Sequence, residues 1–384
     1  MKRKLLVLAI AGAFVAPAAM AEGNVSIYGA ANASVDMTNN GAAVNGQSAN
    51  KVSSNESNIG VKGSTDLGGG LSALFQVESA IALDGTPAAN ATANTAMMMG
   101  SKLAGRDTFV GLSGGFGTVL AGTHDTPYKM ATRGLDVFAN TLADNRALTS
   151  VHDIRLGNVL AYVSPKIADS VTIAGALVMG AENMGAAANA TKGSATSLAA
   201  MYASGPINGA VAYQTLTIGT GATGSLGATP INTLYGLALV PNDKLSAFKV
   251  GGGYTMDKFT INAAIERATF SPATAGLVST TQTNLYVGAK FNVTSNGTIK
   301  AAYGKAGSTA AGGAPANGAT QISLGYDHSL AKSTTVYALY TKLSNDTAGV
   351  AGLGQTADGE ITGATLGGAK GAPSALSVGI KYAF

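Results

Sequence analysis

Ser374-Ala375-Leu376-Ser377-Val378-Gly379-Ile380-Lys381-Tyr382-Ala383-Phe384 alternates strictly. Leu376, Val378, Ile380, Tyr382 and Phe384 fall on one side of an extended strand, and Ser377, Gly379 and Lys381 fall on the other, the period of two that a pleated backbone imposes. A half-buried globular strand alternates in the same way but seldom finishes on an aromatic residue. A strand with lipid on its apolar side and a water-filled lumen on its polar side accounts for both features. Lipid-exposed backbone must be fully paired, so such a sheet has to close on itself. The stretch therefore reads as the closing strand of an outer-membrane barrel.

The opening residues give a destination. Lys2, Arg3 and Lys4 form a basic region, Leu5 to Val15 an apolar core, and Ala19-Met20-Ala21 a small-x-small site, the three parts of a cleavable secretory signal. Cleavage after Ala21 is expected, leaving residues 22–384 as one barrel domain. The apolar core is about 11 residues, short of the roughly 20 that a membrane helix needs.

Composition narrows the class further. The chain has 52 glycines, 46% hydrophobic and only 11% charged residues, yet no apolar run of the 18 or more residues that marks a membrane helix. Its lack of cysteine argues against a small disulfide scaffold and suits a closed hydrogen-bonded ladder. The net charge of +4 falls to +1 once the three basic residues of the signal are removed, because all 20 acidic residues follow it. The pI near 9.0 is thus no argument for nucleic-acid binding.

Taken in order, the chain repeats one unit of alternating segment, polar insertion, alternating segment and tight turn. Residues 24–37 put Val25, Ile27, Gly29, Ala31, Ala33, Val35 and Met37 on one face, with Asn24, Ser26, Tyr28, Asn32, Ser34 and Asp36 opposite. An insertion over 38–56, a strand over 57–64, the turn 66–70 and a strand over 71–83 follow. Strands are then expected at 105–113, 117–122, 157–164, 170–181, 196–204, 207–217, 246–254, 258–268, 281–290, 297–305, 319–327 and 333–343. The apolar stretch Ile231 to Val240 would raise the total to seventeen, but a single-chain bacterial barrel needs an even number. Short links at 66–70, 114–116, 165–169, 205–206, 255–257, 291–296 and 328–332 alternate with long ones, which makes 218–245 a single external loop. The expected fold is all-β, a sixteen-stranded antiparallel transmembrane barrel, wide enough for an aqueous channel.

Several of these stretches resemble a known family. Asn24-Val-Ser-Ile-Tyr-Gly29, Gly60-Val-Lys-Gly-Ser-Thr-Asp-Leu-Gly-Gly-Gly-Leu71 with Phe75-Gln-Val-Glu-Ser79, Phe109-Val-Gly-Leu-Ser-Gly-Gly-Phe-Gly-Thr-Val119, the run Arg155, Asn158 and Tyr162-Val-Ser-Pro165, and the terminal Phe384 look like the Gram-negative general porins of beta-proteobacterial and neisserial type. The resemblance implies an outer-membrane homotrimer with its third external loop folded into the lumen, and a terminal Phe384 read by the barrel-assembly machinery. It implies passage of ions and small hydrophilic solutes, with no cofactor, no bound metal and no nucleic-acid partner.

The third loop also stands out on charge alone. Segment 123–156 carries Asp125, Lys129, Arg133, Asp136, Asp144, Arg146, Asp153 and Arg155, eight formal charges in 34 residues. The 218–245 connection has only Asp243 and Lys244, and 344–373 has Asp346, Asp358, Glu360 and Lys370. Charge in a narrow passage acts on solutes through weakly screened fields, so Arg133, Asp136, Asp144, Arg146 and Arg155 are candidate constriction residues. The plain alternative is a solvated surface loop.

Parity nominates the facing wall. With Ile59 and Val61 toward lipid, Asn58, Gly60 and Lys62 turn inward; with Phe75 toward lipid, Gln76 and Glu78 do. By the same rule an outward Phe109 turns Arg106 and Thr108 inward. Lys62 and Arg106 set against acidic loop groups would place a transverse field across the pore. Asn58 and Thr123 stand where porins of this type often carry arginine, so a channel of mild selectivity, of either sign, is expected.

Other classes find little support. Three histidines, His124, His152 and His328, offer no closely spaced metal ligands. Ser150 beside His152 and Asp153 is adjacency in sequence, not the geometry a nucleophile requires. An adhesin with a blocked lumen would carry sticky loops, whereas 181–195 and 306–318 are mostly Ala, Gly, Asn, Ser and Thr.

Overall fold

The structure, a computed structural model, describes residues 24–41, 48–85, 103–149, 152–180, 193–219, 240–309, 317–349, 351–353 and 371–384. The expected signal over 1–21 and residues 231–239 of the apolar stretch lie outside the described residues. The strands are β1 (Asn24–Asn39), β2 (Ser48–Ser54), β3 (Asn58–Gly68), β4 (Leu71–Ala80), β5 (Thr108–Gly114), β6 (Gly117–Asp125), β7 (Arg155–Val163), β8 (Val171–Val178) and β9 (Ser194–Ser204). They continue as β10 (Ile207–Thr217), β11 (Lys244–Met256), β12 (Phe259–Ser271), β13 (Thr280–Asn292), β14 (Gly297–Ala306), β15 (Ala319–Ala331), β16 (Thr334–Asn345) and β17 (Ser374–Ala383).

Strands adjacent in the chain pair antiparallel except β2 and β3, which both pair with β1, and β1 also pairs with β17, so the sheet has no edge. β2 and β3 both lie along β1, β2 against Ala33–Asn39 and β3 against Asn24–Ala30. They are two halves of one stave, which makes the seventeen strands a sixteen-stave barrel. Closure runs to the last residue: Gly29 N–H donates to Phe384 O at 2.9 Å and Phe384 N–H donates back to Gly29 O at 3.0 Å.

The polarity is inverted relative to a globular protein. On β1, Ile27 is 67% exposed and Val35 54%, whereas Asn32, Ser34 and Asp36 on the opposite face are buried. Apolar side chains meet lipid while polar ones line the interior. At the short-turn rim, Gly68, Gly69 and Gly70 have φ of 83°, 64° and 78°, a conformation that side chains with a Cβ rarely adopt.

Three expectations need correction. The insertion expected over 38–56 contains β2, which extends the second stave outward. Arg106 is not in a strand, since β5 begins at Thr108. Phe109 faces inward: Gln76 pairs with Phe109 and Phe75 with Val110, so Val110 meets lipid at 63% exposure while Phe109 is buried beside Leu120. The physical reason is that this part of the inner wall is covered by the third loop and is therefore apolar.

Candidate functional site

The loop between β6 and β7 lies inside the barrel. It opens with a helix, Pro127–Arg133, started by Pro127 and capped by Thr126, whose side chain accepts from Lys129 N–H at 3.3 Å. The helix rests on a floor of small residues, Ala199 of β9, Ala210 and Ala212 of β10 and Ala247 of β11, packed around Tyr128 and Ala131. Alanines on the lumen side let a helix approach the wall closely.

From the helix onward the loop is tied to the wall strand by strand. Tyr128 Oη donates to Glu266 at 2.5 Å, Asn262 Nδ2 to Leu135 O at 2.7 Å, and Val137 N–H to Tyr286 Oη at 2.8 Å. Farther on, Asn32 Nδ2 of β1 donates to Asn140 O at 2.8 Å. Large apolar side chains dock onto wall glycines: a Cβ on Gly251 would lie 2.5 Å from Leu135, on Gly325 2.8 Å from Phe138, and on Gly304 2.8 Å from Leu148. The return leg, a helical turn over Arg146–Thr149 and then His152 and Asp153, is held by Gln214 Nε2 to His152 O at 2.9 Å and Lys249 Nζ to Asp153 at 2.5 Å.

The candidate residues fall into three charge clusters. In the loop, Arg133 and Arg146 hold Asp144 between them, with Arg133 also 3.8 Å from Asp136. Glu56 completes this cluster from the wall, paired with Arg146 and 3.6 Å from Arg133. Glu56 stands in the break between β2 and β3 at a φ of 58°, a left-handed conformation costing on the order of 1–3 kcal/mol in a non-glycine residue. The buried pairing with Arg146 offsets that strain.

The second cluster is on the wall. Glu78 accepts from Arg106 Nε and from Tyr28 Oη, the latter at 2.7 Å, and Lys62 Nζ sits over the Tyr28 ring, 4.8 Å from its centroid. The third joins Arg155 to Asp107 at 2.6 Å and to Asp125 at 3.0 Å, with Lys129 also on Asp125. Lys62, Glu78 and Arg106 thus share one site, Arg133, Asp136, Asp144 and Arg146 another, and Arg155 stands apart at the root of the loop. Arg106 reaches the lumen from the bend before β5, although the parity used to place it was wrong.

Sequence reasoning missed Glu56, Asp107, Glu266 and Tyr286. The first fell within an apparent insertion, and the others are partners fixed only by long-range closure. Spacing in the sequence carries no signal for such pairs.

The loop's titrations follow from this geometry. Burial, reinforced by the neighbouring Asp144 charge, pushes the Asp136 carboxyl up to about 6. Asp144 is held well below the usual carboxylate range by Arg133 and Arg146, which outweigh the cost of its burial. Asp107 falls to about 2 because Arg155 outweighs its burial. Burial, with Lys249 nearby, pulls His152 down to about 3, so its ring is neutral.

A closed sixteen-stave barrel with an apolar exterior and a charged loop across its lumen defines a transmembrane channel. The family model for Gram-negative porins matches residues 7–348, and the chain belongs to that family. It forms a water-filled diffusion channel in the outer membrane of a Gram-negative bacterium. Outer membrane porin protein 32 of Delftia acidovorans is 28% identical over 397 residues, covering 100% of both chains. Major outer membrane protein P.IB of Neisseria gonorrhoeae is 37% identical over 134 residues, 34% of each. An anion-selective porin from Comamonas acidovorans has the same fold, with a TM-score of 0.73 and 23% identity over 94% of this chain and 100% of that one. OmpT of Vibrio cholerae, in a trimer form, also shares it, with a TM-score of 0.66 and 16% identity over 94% of this chain and 99% of that one.

Proposed function

We propose that this porin passes small hydrophilic solutes with a weak preference for anions, set where loop 123–156 faces Lys62 and Arg106. The observation that carries the reading is the neutralisation of the loop's own charge. Arg133, Arg146 and Arg155 are paired with Asp144, Glu56 and Asp107, and Lys249 with Asp153. Lys62, Lys290 and Lys381 line the lumen with no paired carboxylate among the described residues. Against these three lysines, Asp36 and Glu266 are inward carboxylates that hold hydrogen bonds but no salt bridge among the described residues, and the one-charge cationic excess that remains favours anions without excluding cations.

The chain works as a homotrimer, supported by the trimer form of a porin of the same fold. Residues 1–21 serve as a cleaved signal, 22–384 form the barrel domain, and Phe384, seated against Gly29 at the seam, is the residue presented to the assembly machinery. We assign no enzymatic role: Asp153 is engaged by Lys249 and the neighbouring His152 ring is buried. The test is a reversal potential across a bilayer in a salt gradient. An anion preference of a few-fold is expected, and a tenfold or greater selection of either sign overturns the reading.

A further inference from the structure

Asp125 and Arg155, beyond a bulge at the ends of β6 and β7, are held by ion pairs at the root of the loop. Parity through the barrel sorts every other charged side chain of the described strands to the lumen or to lipid, and the lipid side holds four: Lys244, Arg267, Lys305 and Lys342. All four are basic and exposed. No carboxylate faces outward on any described strand. Each of the four stands near the long-connection end of its strand, on the contiguous arc β11 to β16.

Three of them lie at one height. Arg267 pairs with Thr283, and two residues nearer the short-turn rim Leu285 pairs with Lys305. Lys305 pairs with Thr320, and two residues nearer that rim Ile322 pairs with Lys342. The register line itself climbs around the barrel, from Met256 at the short-turn end of β11 through Phe291, Tyr326 and Val378 to Val35 in the outer half of β1. Stepping down two residues every two strands cancels that climb. Successive cations then stand about 12 Å apart at Cα, from the spacing of two strands and the rise of two residues.

Their surroundings mark a boundary. One outward position nearer the membrane centre on the same strands are Ile265, Tyr303 and Tyr340, all exposed apolar or aromatic side chains. One outward position farther out are Thr269 and Ser344, with Thr283 and Thr320 alongside. The row therefore sits where acyl chains end and headgroups begin, and its long side chains can keep their charge in the polar layer.

We propose that Arg267, Lys305 and Lys342 form a docking row for the phosphates of an anionic glycolipid of the outer leaflet, with Lys244 reaching the same headgroup from above. Charge complementarity selects the occupant: three evenly spaced cations without a carboxylate suit a headgroup with more than one phosphate, whereas a second copy of this chain offers no outward carboxylate on any described strand. The row gives the barrel a preferred lipid on one arc.

The test uses the refolded full-length protein in detergent, titrated with diphosphorylated lipid A, monophosphorylated lipid A or phosphatidylcholine and followed by native mass spectrometry. The wild type is expected to bind the three in that order of falling affinity, and R267Q/K305Q/K342Q to bind the diphosphorylated lipid about a hundredfold more weakly. The charge-keeping R267K/K305R/K342R retains binding. K166Q/K258Q/K332Q, which removes the same number of cations from the short-turn rim, binds as wild type. Heat-modified electrophoretic mobility checks that each barrel is folded. Equal affinity for phosphatidylcholine, an unaffected triple glutamine variant, or a change of oligomeric mass with lipid occupancy unchanged each overturns the proposal, the last by making the arc an interface between copies.

Discussion

Arg133 donates two parallel hydrogen bonds to Asp144, Nη1 to Oδ1 at 3.0 Å and Nη2 to Oδ2 at 2.6 Å, closing the third loop on itself inside the barrel. Asp144 also accepts from Arg146 N–H at 2.9 Å and Asn140 N–H at 2.9 Å. One fully buried carboxylate thus balances two guanidinium groups and caps two stretches of backbone. Asp144→Ala leaves Arg146 to Glu56 and Arg133 with only its longer contacts to Glu56 and Asp136, at 3.6 and 3.8 Å, a cost of about 3–5 kcal/mol for breaking a buried pair. The variant barrel is expected to be cut by trypsin at Arg133 or Arg146 under conditions that leave the wild type intact. A variant loop that stays uncut places the loop's anchorage elsewhere.

The Asp136 carboxyl, raised from the usual 3.8 to about 6, gives the channel a pH dependence. A carboxyl whose folded value lies above its unfolded one binds an extra proton in the folded state between the two. Its contribution to stability is complete below 3.8 and is lost as pH rises through about 6. Going from neutral to acidic conditions neutralises one lumenal carboxylate, so anion preference rises with a midpoint near 6. Reversal potentials measured across that range show this step in the wild type and not in Asp136→Asn. Superimposable profiles contradict it.

Docking of Phe138 onto Gly325 makes a steric prediction. A Cβ at residue 325 would lie 2.8 Å from the Phe138 ring and 3.1 Å from Ala338 O, a carbonyl of the neighbouring strand that has little room to move. Gly325→Val is expected to lift the loop tip from the wall at a cost of about 1–3 kcal/mol. Single-channel records should show added flicker and a shifted conductance. An unchanged trace means that the tip has room the structure does not show.

At the opposite wall, Lys62→Gln removes a cation that rests on Tyr28 without a carboxylate, so conductance is kept and anion preference declines. Arg106→Gln strips Glu78 of its ion pair and exposes a lumenal negative charge, so it shifts selectivity further toward cations. Identical reversal potentials in both variants and the wild type remove this wall from the constriction.

The barrel was legible because period-two alternation survives in nearly every strand: Val25 to Met37 and Leu376 to Tyr382 show it plainly, and those two stretches close the sheet. β2 was not, since Ser48-Ala-Asn-Lys-Val-Ser-Ser54 is polar on both faces apart from Val52 and Ala49 and reads as a loop. The inversion at Phe109 has a different origin. Parity assumes that large apolar side chains face lipid, but under the third loop the inner wall is itself dry, with Phe109, Leu120, Leu156 and Leu216 packed inside. The loop's location followed from its charge density. Its partners did not, because Glu56, Glu266 and Tyr286 meet it only after the chain has closed.

Recording from refolded protein in a planar bilayer tests the central claim most directly. A lumen bordered by the paired charges of loop 123–156 predicts stable open steps whose conductance scales with salt, and a reversal potential showing an anion preference of a few-fold. A barrel that inserts but passes no current, or one whose open steps appear only after the loop is cut, would contradict it.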